Sequence, residues 1–462
     1  MASNAPKTPG SAKAGGKKAS SPPPSNERLK TSPELFTEGP LTQVVSSLPI
    51  WEASNILTQR QQLPWTTDPD GKLSYTRDVK DGEGAICFWV ADNIEEEHPS
   101  ALASAAALAV IDTFDIRAAC MHLIFAAHAS QMDNPWEQEI VIDDRQLEAY
   151  LGLQRRTDKN RQEKLALIEE IAKQPCKITT LISWPSKGRR KGFTLEEGRL
   201  WHLMGTRYHY QQDIFGNKEL SGITFVIKAG LWAKYFLNEE TAREQGLPAQ
   251  KGTLPKALLE SIMSVWQHRA GAARLMVWLL FKSQLTQQHP LQVRTLMEVA
   301  YGTDKVEQAR KDHQLRKRMA NAWDEDLLAL HERGWELQFD EATYAEDIQP
   351  SGFGRSDGRR PRGFFEDLLK AKLWVRLPNE WGMAHLEAAQ SEQAQANLDQ
   401  VEAVPAITPE QIRELRVERG WSQRKLAAVA GISQGMISMM ERGDRSISDE
   451  NEATLRRVFD FM

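Results

Sequence analysis

Helix starts and stops alternate through the last part of this chain: Thr408, Gly420, Ser422, Gly431, Ser433 and Gly443. No other feature constrains the fold as tightly. Thr408-Pro409-Glu410-Gln411 places a hydroxyl at the N-cap, proline at the first helical position and glutamine at the third; this is a capping box. Gly420 ends that helix, Ser422 caps a second over residues 423–430, and Gly431 supplies a turn too tight for a side chain. Ser433 caps a third helix that runs to Arg442 and is closed by Gly443. Ala427 lets two helices cross closely, and Leu426, Ala430, Ile432, Ile437 and Met440 form a small core. A scaffold of this kind holds its third helix outward, in position to enter a major groove.

The string Arg419-Gly420-Trp421-Ser422-Gln423, then Leu426-Ala427, Gly431-Ile432-Ser433-Gln434, Ile437-Ser438 and Glu441-Arg442-Gly443 resembles the Cro/C1-type (phage repressor, XRE) domain. The resemblance implies an all-α DNA-binding domain over residues 407–462. It implies that Gln423 holds a phosphate and that Gln434 reads base edges or anchors to the backbone. Ser433, Gly435, Ser438, Met439 and Arg442 complete the groove-facing set. A glutamine amide suits adenine because it both donates and accepts. Gly435 and Met439 bring no hydrogen-bonding side chain, so base specificity here is expected to be modest.

A chain of 462 residues exceeds a single ordinary core and predicts two to four domains. Three scattered cysteines, Cys87, Cys120 and Cys176, have no metal-ligand spacing; they argue against a zinc finger or a disulfide framework and fit a reducing cytoplasm. The longest apolar run, residues 101–111, is too short to span a bilayer, so no membrane association is expected. The net charge of −5 argues against nucleic acid only if charges are evenly spread, and they are not. Basic clusters fall at Lys187/Arg189/Arg190/Lys191, at Arg310/Lys311 with Arg316/Lys317/Arg318, and at Arg359/Arg360/Arg362, while Glu95-Glu96-Glu97 is acidic. Any one of these could be an ordinary solvated face, and position in the fold must decide.

Residues 1–35 are rich in Pro, Ser, Gly, Ala and Lys, the composition of a disordered basic tail. Residues 388–406 form a polar linker. Between them lies an approximate repeat. In its first copy an apolar helix (116–128) leads to an apolar strand (140–142), a short helix (143–150), a turn at Gly152, a longer helix (158–173) and strands at 177–184 and 223–227. The second copy has an apolar helix (272–282), a short helix (293–300), a turn at Tyr301-Gly302, a basic helix (306–333) and a strand (335–339). Helix, short helix, turn, long helix and hairpin is the order of a winged helix.

Ile142-Asp143-Asp144-Arg145-Gln146-Leu147 through Gly152-Leu153, with the helix at 164–171, the strand at 177–182 and a returning strand at 221–227, resembles the tandem winged-helix initiator proteins of bacterial plasmids. The stretch 254–282 resembles the start of their second winged helix. The fold class is therefore mainly α with small β wings (α+β). Its domains are 50–250, a first winged-helix-like domain with an N-terminal extension; 251–387, a second; and the all-α helix-turn-helix domain at 407–462. The resemblance implies DNA contacts by Arg155, Arg156, Lys159 and Arg161 (with Lys164) at the start of the first recognition helix. It implies a first wing at Lys187, Arg189, Arg190 and Lys191, and a second recognition helix carrying Arg310, Lys311, Arg316, Lys317 and Arg318. A second wing would include Arg359 and Arg360. Each phosphate neutralised steepens the salt dependence. Trp232, Trp266, Trp278, Trp323, Trp335 and Trp374 fall at apolar positions and read as core rather than base-stacking platforms.

No catalytic constellation emerges. His202 and His209 are seven apart beside Tyr208 and Tyr210, the wrong spacing for a metal-binding His-x-His; Asp143 and Asp144 begin a helix and serve its amides. No Walker pair, HExxH or serine elbow is present, so neither an enzyme nor a cofactor is expected. The reading that follows is a protein that binds double-stranded DNA sequence-specifically, foremost a plasmid replication initiator acting on repeated origin sites. Its partners would be a second copy of itself and the host helicase and polymerase. A helix-turn-helix transcriptional repressor and a partition or DNA-organising protein are the alternatives.

Overall fold

The computed structural model describes residues 28–378 and 408–459, apart from 80–83, 97–98, 187–191, 213–215, 239–240, 243–249, 287–288, 355–359, 444–446, 448–450, 452–453 and 456–457. The chain divides into two compact units, Met1–Gly382 and Met383–Met462.

The first unit opens with β1 (Leu41–Ser46), α1 (Leu48–Gln59), β2 (Thr66–Thr67), β3 (Leu73–Val79), β4 (Gly84–Val90) and α2 (Ser104–Asp112). Then comes α3 (Ala118–Ser130), whose residues from Ala118 to Ala129 are all buried. A helix apolar on every side can only sit inside a core. It leads to β5 (Ile140–Asp143), α4 (Asp144–Tyr150) and α5 (Arg161–Lys173). Asp143 starts α4 by accepting from the amides of Arg145 and Gln146, and Gln146 completes a capping box. Asn160 and Glu163 form a second box at α5. After α5 the chain makes two hairpins, β6 (Ile178–Trp184) with β7 (Phe193–Arg199), and β8 (Trp201–Gln212) with β9 (Lys218–Ala229). The order β5-β9-β8 closes a three-stranded antiparallel sheet. Helix, strand, two helices and a closing hairpin make this a winged helix.

That sheet corrects the placement of the first wing. The strands β6 and β7, between which Lys187, Arg189, Arg190 and Lys191 fall in sequence, join a separate five-stranded sheet, ordered β2-β3-β4-β6-β7. β6 pairs with β4 from Ala85↔Ser183 to Val90↔Ile178. Most of β6 is buried on both faces, so it belongs in the middle of a sheet rather than on a projecting loop. The hairpin of the winged helix is β8–β9. The four basic residues themselves lie outside the described residues.

The second module repeats the plan. After a short α6 (Trp232–Phe236) come β10 (Gln250–Pro255), α7 (Lys256–Val265) and α8 (Ala270–Thr286). These lead into β11 (Leu291–Gln292), α9 (Val293–Tyr301), α10 (Thr303–Lys311), α11 (His313–His331), β12 (Glu336–Phe339), α12 (Phe364–Lys370) and β13 (Lys372–Arg376). Its sheet is ordered β11-β13-β12. In both modules the first strand pairs with the third and the third with the second, so the repeat read in the sequence is present as topology. The single basic helix expected over 306–333 is in fact two. Asp312 leaves the helical region (φ −103°, ψ 123°) and accepts from the amides of Gln314 and Leu315, which restarts the helix as α11.

The expected tail of residues 1–35 is corrected over its last part; residues 1–27 lie outside the description. Arg28 pairs with Asp143 (2.9 Å) and Asp144 (3.0 Å). Ser32 exchanges hydrogen bonds with Val141, its N–H to the carbonyl at 2.8 Å and its Oγ from the amide at 3.0 Å. Leu35 is buried, its amide bonded to the Tyr150 hydroxyl at 3.0 Å. Low hydrophobicity hid a segment held by polar contacts.

The second unit contains α13 (Pro409–Glu418), α14 (Gln423–Ala430) and α15 (Gln434–Glu441). Thr408, Ser422 and Ser433 cap them as the sequence predicts, each accepting the backbone amide three residues on. Gly431 takes φ 67° in the turn between α14 and α15. Ile412, Leu426, Ala427, Ala430, Ile437, Met440, Leu455 and Phe459 form the core.

Candidate nucleic-acid interface

In the second unit the turn at Gly431 and the core beneath Ile437 and Met440 leave one face of α15 outward. Ser433, Gln434, Gly435 and Arg442 are exposed, and Ser438 and Met439 are half-buried beside them. A Cβ built on Gly435 would meet nothing within 4 Å, so this face is open enough for close approach by a duplex. Arg442 also donates to the Ser438 carbonyl at 3.3 Å.

Gln423 is engaged from within: its Nε2 donates to Glu441 Oε2 at 2.8 Å. Glu441 is the hub of a network the sequence reading missed. Arg416 forks onto it from α13, with Nε at 2.5 Å and Nη2 at 2.9 Å, and also donates to the Trp421 carbonyl at 2.8 Å. Burial pushes the Glu441 carboxyl up, but hydrogen bonds from Arg416 and Gln423 outweigh it and hold the group below its ordinary range. Gln423 is thereby fixed at the N-terminus of α14, where amides and dipole favour an anion. Glu441 is the one charged residue of α15, facing Arg413 and Arg416 on α13, but which arginine it pairs with is visible only in three dimensions. Arg424 and Lys425, exposed on the first turn of α14, were also overlooked.

In the first winged helix, Lys159 and Lys164 are half-buried at the start of α5. Arg155 is 82% exposed on its side chain and only loosely paired with Glu260 at 3.4 Å, which leaves it available to a phosphate. Arg156 is committed to Asp158 by two 2.7 Å bonds. Arg161 turns inward to Asp144 and Glu148 and donates to the Ser221 carbonyl at 3.0 Å. Asp144 is fully buried and accepts the Ile223 amide at 2.9 Å, so Arg161 serves chiefly to neutralise it. The edge strand β8 presents exposed Met204, Arg207, Tyr208 and Tyr210. The ring of His209 is buried against Thr224 Oγ1 at 2.8 Å.

In the second winged helix the basic positions sort into two groups. Lys311, Lys317 and Arg318 are exposed, with His313, Gln314 and Leu315, around the start of α11. Arg310 is held by Glu366 (2.9 and 3.0 Å) and Glu307 (3.0 Å), and Arg316 caps the carbonyls of Ala309 (3.2 Å) and Arg310 (2.5 Å) at the end of α10. Both are fastened to protein. Arg360, expected in a wing, is instead buried, ion-paired with Asp324 and 5.1 Å from the Phe364 ring. A buried carboxylate, Asp324, requires that cation. Arg359 lies outside the described residues.

Trp232, Trp278, Trp323 and Trp335 are buried, while Trp266 and Trp374 are half-buried. Trp266 lies 3.9 Å under the Arg117 guanidinium, a packed cation–π contact. No described helix is long and apolar enough to cross a membrane.

Three capped helices, the glycine turn and an open polar face on the third define a helix-turn-helix DNA-binding domain of the Cro/C1 type. Residues 412–459 match the family model described as helix-turn-helix. A comparison with curated proteins finds no match. Among solved structures, the chain is similar to the selenomethionine derivative of domains 2 and 3 of RctB. The TM-score is 0.35 and the identity 9%, over 71% of this chain and 98% of that one. It is also similar to a second structure of RctB domains 2–3, with a TM-score of 0.31 and 11% identity over 61% of this chain and 83% of that one.

Proposed function

We propose that this protein is a plasmid replication initiator that binds repeated sites in double-stranded origin DNA. The reading is carried by one observation: two winged helices of the same strand order share a chain with a helix-turn-helix. A simple operator needs one reader per subunit, whereas several readers in one polypeptide suit an extended, repetitive site. The exposed basic start of α11, Arg155 near α5, and the open face of α15 are the contact surfaces. Affinity would come mainly from phosphate neutralisation by Arg155, Lys311, Lys317 and Arg318, with Gln434 and Ser438 adding base contacts. The protein would act without chemistry of its own, as a self-associating platform for the host helicase and polymerase in the bacterial cytoplasm.

The helix-turn-helix also favours a second reading, a transcriptional repressor whose first unit serves dimerisation or ligand binding. Placing the gene with its upstream intergenic DNA on a vector lacking an origin separates the two. An initiator supports replication of that vector. Failure to replicate in the native host, together with clean repression of the adjacent promoter, would overturn the initiator reading.

A further inference from the structure

We infer that residues 40–59 lock the two winged helices at one fixed separation, so that the chain measures the distance between the DNA segments they contact; this rests on the proposed DNA-binding role of both modules.

Two domains joined by a linker ordinarily move, because few contacts cross between them. Here one segment is built into both. β1 runs antiparallel to β10, the strand that leads directly into the second module, from Leu41↔Pro255 to Ser46↔Gln250. The Lys256 amide donates to the Pro40 carbonyl at 2.9 Å. The same strand is tied to the end of α3 in the first module. The Val45 amide donates to Ser130 Oγ at 2.9 Å, and Gln131 Nε2 donates to Thr42 Oγ1 at 2.8 Å.

α1 continues the arrangement. Nine of its residues are buried, among them Glu52, Ser54, Asn55 and Thr58, so it is walled in on nearly every side. Towards the first module, Trp201 Nε1 donates to His122 Nδ1 at 2.8 Å, which leaves the His122 Nε2 proton to the Ile50 carbonyl at 2.9 Å. Glu52 accepts from the Tyr75 hydroxyl at 2.8 Å and thereby fixes the five-stranded sheet as well. Towards the second module, Arg274 of α8 donates to the Thr58 carbonyl at 2.9 Å and to the Ala300 carbonyl at 2.5 Å. One guanidinium thus caps the ends of α1 and α9 together, where a cation is favoured by both dipoles. Lys282 sits 4.2 Å from the Trp51 ring. Rotating one module against the other would break either the β1–β10 ladder with the Arg274 cap on α1, or the bonds from His122, Ser130 and Gln131.

A rigid pair of readers accepts one spacing. Inserting about half a helical turn between the two contacted segments moves them to opposite sides of the duplex. Binding then falls to that of a single module, a loss of roughly tenfold or more.

Two measurements test this on the full chain. In a Cys87→Ser background, spin labels at the exposed positions Glu139→Cys and Glu341→Cys report the distance between modules. The expected result is one narrow distance, unchanged by a DNA duplex. A broad or two-peaked distribution, or a shift on binding, would overturn the inference. Separately, a randomised duplex pool is selected on the chain with its helix-turn-helix weakened by Gln434→Glu. Selected sequences should carry two motifs at one spacing, and Arg274→Ala should relax that spacing. Two motifs at many spacings on the unrelaxed protein would sink the ruler while leaving the DNA-binding reading intact. Enrichment of no motif would overturn that reading itself, and the ruler with it.

Discussion

Replacing Arg416 by alanine removes two charge-assisted hydrogen bonds from Glu441, at 2.5 and 2.9 Å, and leaves the 2.8 Å bond from Gln423 as its remaining support. The side chains are 13% and 3% exposed, so water cannot readily replace the guanidinium. Breaking a buried pair from one side costs about 3–5 kcal/mol, and the partial exposure of Arg416 places this one near the lower end. A domain of about fifty residues is stable by roughly 3–7 kcal/mol, so Arg416→Ala should take most of that margin. Hydrogen exchange in the full chain reads the loss directly. Amides of α14 and α15 should exchange roughly 100-fold faster, since about 1.4 kcal/mol is a factor of ten, while those of the first unit stay unchanged. Acceleration of less than about fivefold would refute the reasoning, because it would correspond to less than about 1 kcal/mol. The pH dependence has a fixed sign. The Glu441 carboxyl is depressed in the fold, so its contribution is present above the unfolded-state value and is lost as pH falls through the folded one. The difference between the protein and Glu441→Gln should therefore shrink towards acid pH.

Lys317→Ala and Arg318→Ala should each flatten the slope of log affinity against log salt by about 1, whereas Arg316→Ala should leave the slope alone and lower stability; equal slopes for all three would contradict the sorting of these cations. Gly435→Ala should stabilise α15 by about 0.5–1 kcal/mol, because the site is helical and open; faster exchange in that helix would count against it. Burial pushes the His128 imidazole down from 6.5 to about 4, and its Nε2 has no hydrogen-bond partner. Between those values the unfolded chain takes up a proton that the fold refuses, so stability falls as pH drops. His128→Leu should be near neutral at pH ~7 yet lose about 2 kcal/mol less than the unsubstituted protein on going to pH ~5, measured by urea unfolding; an identical loss would exclude His128 as the source.

The parts of the fold legible in the sequence were those fixed by neighbouring residues. Thr408, Ser422, Ser433 and Gly431 act through amides within a turn, so spacing alone located the C-terminal helices. The two winged helices were legible because α3 is apolar all round, α8 carries the apolar run 275–281, and the elements that follow keep their order. What failed depended on distant partners. Arg310, Arg316 and Arg360 look in sequence like Lys317 and Arg318, and only Glu366, the end of α10 and Asp324 distinguish them. The break at Asp312 was hidden because an aspartate in a basic helix reads as an ordinary surface residue. The β6–β7 hairpin has the length and charge of a wing, and only its pairing with β4 reveals otherwise.

The strand pairing of Leu41–Ser46 with Gln250–Pro255 bears on how this chain can be cut or recombined. A boundary drawn at residue 250 looks natural in sequence, but the polypeptide on its far side is completed by a strand some two hundred residues earlier, ahead of the first winged helix. A fragment starting there would expose the open edge of β10 and the apolar bed of α1, and should aggregate. A chimaera that grafts a foreign second module onto this chain would need residues 40–59 to come from the same donor. Inheritance of DNA preference in such a protein would then follow two separated stretches of gene rather than one.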